Sequence, residues 1–368
     1  MRSGIVCSGV SCLDLFLYDT TPLHTRESLS MVRTTQYRPG GATSNTGRAL
    51  ARLGMPVSYL TVLGVDANGD IMESMWRADG VDTSCVVRVE TAGTALSVLP
   101  VYTDGKRGVY FCPGTNDIMD ADNLFGPGQQ YLQMLGDCQA FHFGYPPLLR
   151  CLQGEALADL LRLVRDTGVL VSLDTTPVAT NAEQMRILGP ALPVAHMFTP
   201  NVMEAAQAAG RFDALNARAH GADLEEFITA EELAEIADIL LATGLPIVVI
   251  TLGPNGVYIR TADEATMRTV PGAPADISGW ADQRLYVPAF LVEGPVNTTG
   301  AGDTFTAGIL TGICKGIGSM AEIARLAHCA GALHVDLSRG VHGFEEVVAA
   351  LPTMVVRPPK NESLLGLM

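Results

Sequence analysis

The 368-residue chain lacks most of the short patterns that are typical of common enzyme classes. It has no G-x-x-x-x-G-K-[ST] phosphate loop, no H-E-x-x-H zinc pattern, no G-x-S-x-G nucleophile elbow and no strand-linked G-x-G-x-x-G. These absences argue against P-loop hydrolases, zinc proteases, α/β-hydrolases and Rossmann-type dinucleotide enzymes. Any active site must therefore come from a different arrangement of residues.

Basic residues are scarce, with 24 Lys and Arg against 39 Asp and Glu and a formal net charge of −15. No cluster of Lys and Arg with interleaved aromatic residues offsets this charge locally. We therefore expect no nucleic-acid partner. A single nucleotide is still compatible with the charge, because backbone N–H groups and Mg²⁺ can hold its phosphates locally.

Long apolar runs and paired cysteines are also missing. No apolar run approaches the roughly 20 residues that span a bilayer, so we expect no membrane association. The first residues do not follow the pattern of a secretory signal. The eight cysteines are scattered without a C-x-x-C pair, which favours reduced thiols over disulfides or a metal site. Together these features predict a cytoplasmic protein.

The residues that are present favour one large α/β domain. Of the chain, 48% is apolar and only 17% is charged, so a large core can be buried. Helical patterns separate most of the short apolar runs, and this alternation predicts a mostly parallel sheet covered by helices on both faces. The predicted strands are Ile5–Val10, Ser58–Val62, Ala140–Phe143, Val169–Leu173, His196–Thr199 and Ile247–Thr251.

Two regions interrupt this rhythm. Residues 16–39 and 86–111 have the polar alternation and turn residues of extended strands rather than helices. Such segments suit a small antiparallel lid beside the main sheet.

A run of small residues follows a predicted strand at Leu285–Val296 and precedes a helical pattern that begins near Phe305. Gly300, Ala301 and Gly302 carry almost no side chain, so their N–H groups can approach a phosphate at the positive end of the helix dipole. This turn is a candidate anion hole.

Asp303 comes directly after the anion-hole turn. A carboxylate repels a bound anion, so an acid at this position needs a role, such as accepting a proton. Phosphoryl transfer uses a carboxylate to take the proton of the attacking hydroxyl. The pattern alone also fits an ordinary helix start with an acid in its first turn. Both readings stay open on these residues alone.

A second glycine pattern, residues 40–54, reads G-G-A-T-S-N-T-G-R-A-L-A-R-L-G. Together with N-T-T-G-A-G-D-T-F at residues 297–305, it resembles the two signatures of the ribokinase-like (PfkB family) carbohydrate kinases. Three further matches lie between them in the family's order, at residues 64–70, 199–204 and 248–256. The resemblance extends from about Ile5 to Val348.

The resemblance implies a fold and an assembly. We expect a single ribokinase-like kinase domain over residues 1–368, a three-layer sandwich with a central, mostly parallel sheet. Residues of about 12–39 and 86–115 are expected to form a small β-strand lid over the substrate site. Because such lids often serve for dimerisation in the family, we expect a homodimer.

On the substrate side, ligands of parallel sheets bind beyond the carboxyl ends of the strands. The resemblance assigns Asp14 to the sugar hydroxyls, a role that suits a carboxylate because it accepts two adjacent O–H donors. Asn45 offers a donor and an acceptor, although it can also serve as a helix cap. Gly40, Gly41 and Gly144 are predicted to let the substrate approach the backbone.

On the nucleotide side, the resemblance implies binding of ATP and Mg²⁺. Asn201 and Glu204 would organise Mg²⁺, with Glu204 acting on the metal through water, although this spacing is also that of a helix-cap pair. His328 would pack beside the base of the nucleotide, although a histidine among apolar residues of a helix is more often a satisfied core residue. The residues assigned to the nucleotide are Asn201, Glu204, Thr251, Gly253, Gly256 and His328.

Two departures from the family pattern affect specificity. Family members frequently bind K⁺ near the anion hole, but Asn297 stands where an acid is usual, so we expect little activation by this monovalent cation. Ribokinases proper usually carry a long polar residue where this chain has Ala42-Thr43, so ribose specificity is unsupported.

The combined reading is ATP-dependent phosphorylation of a hydroxymethyl group of a sugar or sugar-like molecule. Asp303 would be the general base, and the Gly300–Gly302 turn the anion hole. Two alternatives stay open, a nucleoside kinase of the same superfamily and a catalytically silent sugar- or nucleotide-sensing protein.

Overall fold

A computed structural model describes residues 2–21, 29–104, 106–219, 221–294, 296–336 and 343–367. The strands in these ranges are β1 (Ile5–Gly9), β2 (Cys12–Thr20), β3 (Thr34–Gly40), β4 (Val57–Tyr59), β5 (Thr61–Gly64), β6 (Val86–Val89), β7 (Leu96–Tyr102), β8 (Tyr110–Cys112), β9 (Ala140–Gly144), β10 (Leu170–Leu173), β11 (Met197–Phe198), β12 (Ile247–Thr251), β13 (Val257–Thr261) and β14 (Arg284–Val287).

The α-helices of the same ranges are α1 (Gly41–Arg52), α2 (Ala67–Ala78), α3 (Ala121–Phe125), α4 (Gln130–Leu135), α5 (Glu155–Asp166), α6 (Asn181–Leu188), α7 (Val202–Ala208), α8 (Phe212–Asn216), α9 (Ala230–Leu241), α10 (Glu264–Met267), α11 (Ala301–Cys314), α12 (Met320–Val335) and α13 (Phe344–Ala350). No helix in the described part of the chain is long and apolar enough to cross a membrane.

The central sheet has eight strands in the order β14-β13-β12-β11-β10-β9-β1-β4. The six strands from β12 to β4 run parallel, and β13 and β14 add an antiparallel edge. The carboxyl ends of the parallel strands therefore meet at one edge of the sheet. The turns that follow these strands carry the candidate site.

Side-chain alternation in the strands produces the three layers. In β12, Val248 and Ile250 belong to one buried cluster, whereas Ile247 and Val249 belong to the other. Successive side chains of a strand point to opposite faces, so one strand supplies both clusters. Helices α3 to α7 and α9 cover the first face, and α1, α2 and α10 to α13 cover the second. The predicted α/β class, with helices on both faces of a mostly parallel sheet, is confirmed.

Helix α11 packs closely against α12 because its glycines leave room. A Cβ atom at Gly308 would lie 2.6 Å from the Cα of Ala327, and one at Gly312 would lie 2.9 Å from the side chain of Ile323. This close approach places His328 of α12 beside Phe305 of α11, with ring centroids 4.8 Å apart.

A second sheet contains strands from both regions predicted as the lid. Its order is β3-β2-β7-β8, with β2 and β7 parallel and the outer pairs antiparallel. Strand β6 is not part of it: β6 pairs with β5 in a separate two-stranded sheet, so the predicted start of the second lid segment at residue 86 does not fit this sheet. Residues 22–28 and 105 of the predicted lid lie outside the described residues.

Two strand predictions were wrong in their extent. The run Ser58–Val62 is split at Leu60, where the chain leaves β4 in the central sheet and enters β5 beside β6. The run Leu285–Val296 ends as a strand at Val287. Apolar residues continue through both breaks, so composition alone did not mark them.

Candidate active site

The candidate site lies where the parallel strands end and α11 begins. Strands β1, β9, β10, β11 and β12 terminate along this edge. The first turn of α11 carries Asp303, which is buried, with 5% of its surface exposed.

The Asp303 carboxylate has three hydroxyl or amide partners. The Thr46 hydroxyl donates to its Oδ1 at 3.1 Å, and the Tyr145 hydroxyl lies 3.2 Å from both carboxylate oxygens. A side-chain hydrogen bond from Asn45 adds a third. Burial raises the pKa of Asp303 to about 6 although these hydrogen bonds oppose the rise. The carboxylate is thus largely ionised at neutral pH and able to accept a proton.

The turn before Asp303 exposes backbone donors. Gly300 adopts a left-handed conformation with φ 78°, which bends the chain into the helix. The N–H of Ala301 donates to the Thr298 carbonyl at 3.1 Å. In the part of the chain that the structure describes, the N–H groups of Gly300 and Gly302 have no protein acceptor. The predicted anion hole therefore has two free backbone donors, from Gly300 and Gly302. Ala301 shapes the turn, but its N–H is already bonded.

Two further carboxylates lie near Asp303. Burial and the neighbouring charges raise the pKa of Glu204 to about 8 and raise that of Asp174 well above its usual range. Glu204 and Asn201 form the capping box of α7, in which the Asn201 N–H donates to Glu204 at 2.8 Å and the Glu204 N–H donates back at 2.9 Å. Three buried acids that repel one another form a site that favours a cation.

A direct metal cage is absent, since no group of three or more His, Cys, Asp or Glu side chains among the described residues is placed to hold an ion. The acids fit a hydrated Mg²⁺ that also contacts phosphates, because Mg²⁺ usually keeps several waters and few protein ligands. Glu204 is suited to this indirect role, as its own oxygens already receive the Asn201 N–H.

Asp14 lies in strand β2 of the second sheet, within the region that was predicted as the lid. The chain leaves β1 at Gly9 and enters β2 at Cys12. The Cys12 thiol donates to Asp14 at 3.2 Å, and the positive charges of Arg38 and Arg107 act on it, although burial dominates and raises the Asp14 pKa. A polar, cation-flanked carboxylate of this kind suits a ligand with several hydroxyl groups.

Each of the predicted substrate-side glycines has a packing reason. A Cβ atom at Gly40 would lie 2.2 Å from the Asp14 carboxylate, one at Gly41 would lie 2.3 Å from the Val10 carbonyl oxygen, and one at Gly144 would lie 2.2 Å from the Cβ of Ala42. Gly40 therefore makes room for Asp14, whereas Gly41 and Gly144 allow α1 to rest on the strand ends. The space at Gly144 is taken by α1 itself.

A cavity of about 550 Å³ borders the turn at Ala301 and Gly302. Its lining includes Ala301 and Gly302, the predicted nucleotide residues Thr251, Gly253, Gly256 and His328, and the apolar side chains Phe290, Val292, Val296, Phe305 and Val335. A Cβ atom at Gly302 would meet nothing within 4 Å, so this face of the turn is open. The size and lining suit a small organic ligand with an anionic end.

Two features tie this cavity to the strand ends. Thr251 ends β12 and donates its N–H to the Pro200 carbonyl at 2.9 Å, which holds the β12 end against the Asn201–Glu204 cap. Gly256 has φ 113°, and a Cβ there would lie 2.3 Å from the Val287 carbonyl oxygen. Only glycine fits this position, so Gly256 shapes the turn that borders the cavity.

His328 is buried at the cavity wall. Burial lowers its pKa to about 4, so the ring is neutral. Its Nε2 atom has no hydrogen-bond partner among the described residues. An unpaired buried ring nitrogen beside a cavity is costly unless a ligand or water pairs with it, which makes His328 a fitting contact for a heterocyclic base.

The lid contacts the anion-hole turn directly. Arg107, at the β7–β8 connection, donates from Nη1 to the Thr299 hydroxyl at 3.0 Å. Residues 106–107 and 296–299 together line a second cavity of about 580 Å³. The Arg107 guanidinium thus contacts the residue just before Gly300 and its charge also acts on Asp14.

Several of these residues were missed by the sequence analysis. Tyr145 follows the end of β9 directly, so the rule applied to Asp14 could have found it. Asp174 directly follows β10, and on sequence alone it fits either a phosphate-side polar group or a turn acid, so it was left out of the predicted site. Tyr145 also has φ 63°, a strained conformation for a bulky residue that a sequence does not reveal. Thr46 and Arg107 carried no signal, because their partners are distant in the chain.

Comparison of the sequence with models of protein families identifies the family of this chain. Residues 4–343 match the model described as pfkB family carbohydrate kinase. The chain belongs to this family. It is therefore a carbohydrate kinase, a phosphotransferase whose acceptor is an alcohol group.

Individual relatives agree at low identity. The chain is 24% identical over 302 residues to a ribokinase of Haemophilus influenzae, covering 80% of each chain, and 26% identical over 316 residues to probable fructokinase-2 of Arabidopsis thaliana, covering 84% of this chain and 83% of the other. The structure of Arabidopsis thaliana ribokinase complexed with ribose and ATP superimposes with a TM-score of 0.71 at 20% identity, covering 100% of this chain and 99% of that one. The predicted ribokinase-like fold is thus confirmed.

Proposed function

We propose that this kinase uses ATP and Mg²⁺ to phosphorylate a hydroxymethyl group of a sugar or sugar-like substrate. Asp303 is the general base, and the Gly300–Gly302 turn is the anion hole. ATP supplies the transferred phosphoryl group, and the side chains of this protein supply positioning, charge and proton acceptance.

The position of the Asp303 carboxylate supports this function most directly. On one side it receives hydrogen bonds from Asn45 and Thr46 of α1, the helix that begins next to Asp14. On the other side its own turn lines the 550 Å³ cavity through Ala301 and Gly302. A base at the junction of two ligand sites can act on a hydroxyl from one and a phosphate from the other.

Different residues of the chain have different roles in this reaction. Asp14 and Asn45 orient the sugar so that its hydroxymethyl group reaches Asp303. Asp303 accepts the hydroxyl proton as the new O–P bond forms, while the bond between the γ-phosphorus and the β-phosphate oxygen of ATP breaks and ADP leaves. The free N–H groups of Gly300 and Gly302 stabilise the negative charge on the transferring group. Asn201 and Glu204 hold the hydrated Mg²⁺ in place, and Thr251, Gly253, Gly256 and His328 border the nucleotide.

The surroundings of Asp14 favour a sugar over a nucleoside. The nearest aromatic ring on the same face of β2 is Phe16, which is buried and stacked on Tyr18, and the Arg38 guanidinium lies 5.0 Å above it. A base would have to displace Arg38 to stack there. A nucleoside kinase therefore fits the site less well. The buried, hydrogen-bonded Asp303 carboxylate argues against a silent sensor on the same fold.

A thermal-shift screen tests this proposal. Wild-type protein with Mg²⁺ and a non-hydrolysable ATP analogue is screened against neutral sugars, sugar acids and nucleosides, since a ligand of the native state raises its melting temperature. The D14N variant is the matched control, because it should keep the nucleotide response and lose the sugar response. Stabilisation only by nucleosides, or no ATP turnover with any stabilising sugar, would contradict the proposal.

The proposal includes a homodimer in the cytoplasm. The outer lid strands β3 and β8 have unpaired edges in the described chain, and β8 carries exposed apolar side chains. A second copy would cover them. Sedimentation tests the dimer, and fractionation of cells that express the native gene tests the location.

A further inference from the structure

The segment after α13 crosses the nucleotide cavity. We call residues 354–361 the C-terminal strap. Val356 pairs antiparallel with Phe290, the Leu291 N–H donates to Val355 at 2.8 Å, and the Arg357 N–H donates to Ala289 at 2.8 Å. The strap therefore lies along the chain that follows β14, which itself forms one wall of the cavity.

Two buried asparagines fix the far end of the strap. The Asn255 Oδ1 atom accepts from the Lys360 N–H at 2.8 Å, and the Asn255 amide donates to the Glu225 carbonyl at 2.8 Å. The Asn361 amide donates to the Ile228 carbonyl at 2.8 Å. Asn255 belongs to the turn between Gly253 and Gly256, so the strap is anchored to the nucleotide side of the site.

The strap contributes the charge of the cavity. Arg357 and Lys360 are the charged side chains in its lining, which includes no acid among the described residues. Neither side chain has a hydrogen-bond or ion-pair partner in the described chain. Two uncompensated cations in a protein with a net charge of −15 create a local positive potential that favours an anionic ligand.

We propose that Arg357 and Lys360 bind the α- and β-phosphates of the nucleotide and set the preference for a nucleoside diphosphate or triphosphate over an unphosphorylated nucleoside. This inference rests on the proposed function, because it takes the cavity as the nucleotide site. The transferring phosphoryl group belongs at the Gly300–Gly302 turn beside Asp303. The Lys360 backbone N–H is bonded instead to Asn255, in the turn whose Gly253 and Gly256 line the cavity, and this placement assigns the pair to the phosphates that remain with the leaving nucleotide.

The chemistry of the site explains why such cations are needed. The chain has no phosphate-loop lysine, and Asp303, which is largely ionised at neutral pH, repels a polyphosphate. A free guanidinium donates up to five N–H groups in a fixed fork that matches phosphate oxygens. Arg357 and Lys360 offset the repulsion without entering the acid cluster.

Isothermal titration of ADP, AMP and adenosine into the protein tests this role without relying on turnover. For R357Q and K360Q we expect about tenfold weaker ADP binding each, the usual cost of losing a charge-assisted contact, and unchanged adenosine binding. R357K should recover part of the loss. The matched control is R325Q on α12, since Arg325 is exposed, unpaired among the described residues and outside the cavity lining, and it should bind ADP like wild type.

Three results would overturn the inference. They are unchanged ADP binding in both variants, an equal loss of ADP and adenosine, and a loss in R325Q as large as in R357Q. Sugar-dependent ATP turnover by wild type separates this failure from failure of the proposed function. If the wild type turns over ATP and the variants bind ADP normally, only the role of the strap is rejected. If the wild type binds no nucleotide, the role of the strap and the proposed function are both rejected.

Discussion

The Tyr145 hydroxyl lies 3.2 Å from each carboxylate oxygen of Asp303, and both side chains are buried from most solvent. The pair joins the end of β9 to the start of α11. Because the hydroxyl donates to the ionised carboxylate, it stabilises the form of Asp303 that accepts a proton. Burial pushes the Asp303 pKa up to about 6, and Tyr145 limits that rise.

Replacing Tyr145 with Phe should therefore move the acidic limb of the pH profile to higher pH. The lost hydrogen bond disfavours ionised Asp303 and raises its pKa, so kcat/KM should fall more at pH 6 than at pH 8. The limb is measured from kcat/KM between pH 5 and 9, which reports groups of the free enzyme. Tyr37→Phe, a change in an exposed lid tyrosine, should leave the profile unchanged. An unshifted limb in Tyr145→Phe would show that the contact does not tune the base.

The burial of Asp303 should also cost stability at neutral pH. Its folded pKa of about 6 lies above the usual pKa of an aspartate, so folding favours the protonated acid. This contribution to stability is complete below about pH 4 and is lost as the pH rises through 6. The linkage amounts to roughly 3 kcal/mol at pH 8.

Asp303→Asn should therefore melt at a higher temperature than wild type at pH 8 and at a similar temperature at pH 4. The measurement is the difference in Tm between the two proteins across that range. Asp19→Asn, in an exposed lid ion pair with Arg33, is the control and should show no such gain at pH 8. A constant Tm difference from pH 4 to 8 would mean that Asp303 is not destabilised by ionisation in the fold.

The fold could be predicted from the sequence because its signals are local. Strand β12 was predicted with the bounds that the structure has, and β9 within one residue, since periodicity and composition act over a few neighbours. The site could be predicted only where glycines mark a turn, as at Gly300–Gly302. Contacts that join distant segments could not: Tyr145 and Asp303 are 158 residues apart, and Arg107 and Thr299 are 192 apart. No short pattern encodes such distances.

The monovalent cation requirement depends on Asn297. Its side-chain oxygen accepts the Thr299 N–H at 3.1 Å, so it is used within the turn and carries no charge to attract K⁺. We expect activity to need Mg²⁺ and to differ little between K⁺ and Na⁺ at fixed Mg²⁺. Asn297→Asp should increase any K⁺ dependence. A large, selective stimulation of the wild type by K⁺ would refute this prediction.

The lid edge should form a dimer interface. Strand β8 is an outer strand of the lid sheet, and Val109 and Tyr110 are 59% and 70% exposed. Phe16 is buried in the internal strand β2 and adds nothing to this edge. Such an apolar edge is an unfavourable surface in water unless another chain covers it.

Sedimentation velocity at micromolar protein should show a dimer for the wild type. Tyr110→Lys places a charge on the edge and should shift the population to monomer. Met185→Lys, at an exposed apolar position on α6, is the matched control and should stay dimeric. A monomeric wild type, or equal dissociation in both variants, would remove the lid from this role.

Replacement of Asp303 and replacement of Asp14 should impair the reaction in different ways. Asp303→Asn keeps the size of the side chain but cannot accept the hydroxyl proton, so kcat should fall by roughly 10²–10⁴-fold while sugar and nucleotide still bind. Asp14→Asn loses charge-assisted bonds to the sugar before and during the reaction, at roughly 1.5–3 kcal/mol per bond, so KM for the sugar should rise strongly. Its nucleotide affinity should be nearly unchanged. Steady-state kinetics and sugar dissociation constants of both folded variants make the comparison, and a near wild-type kcat in Asp303→Asn would show that another group takes the proton.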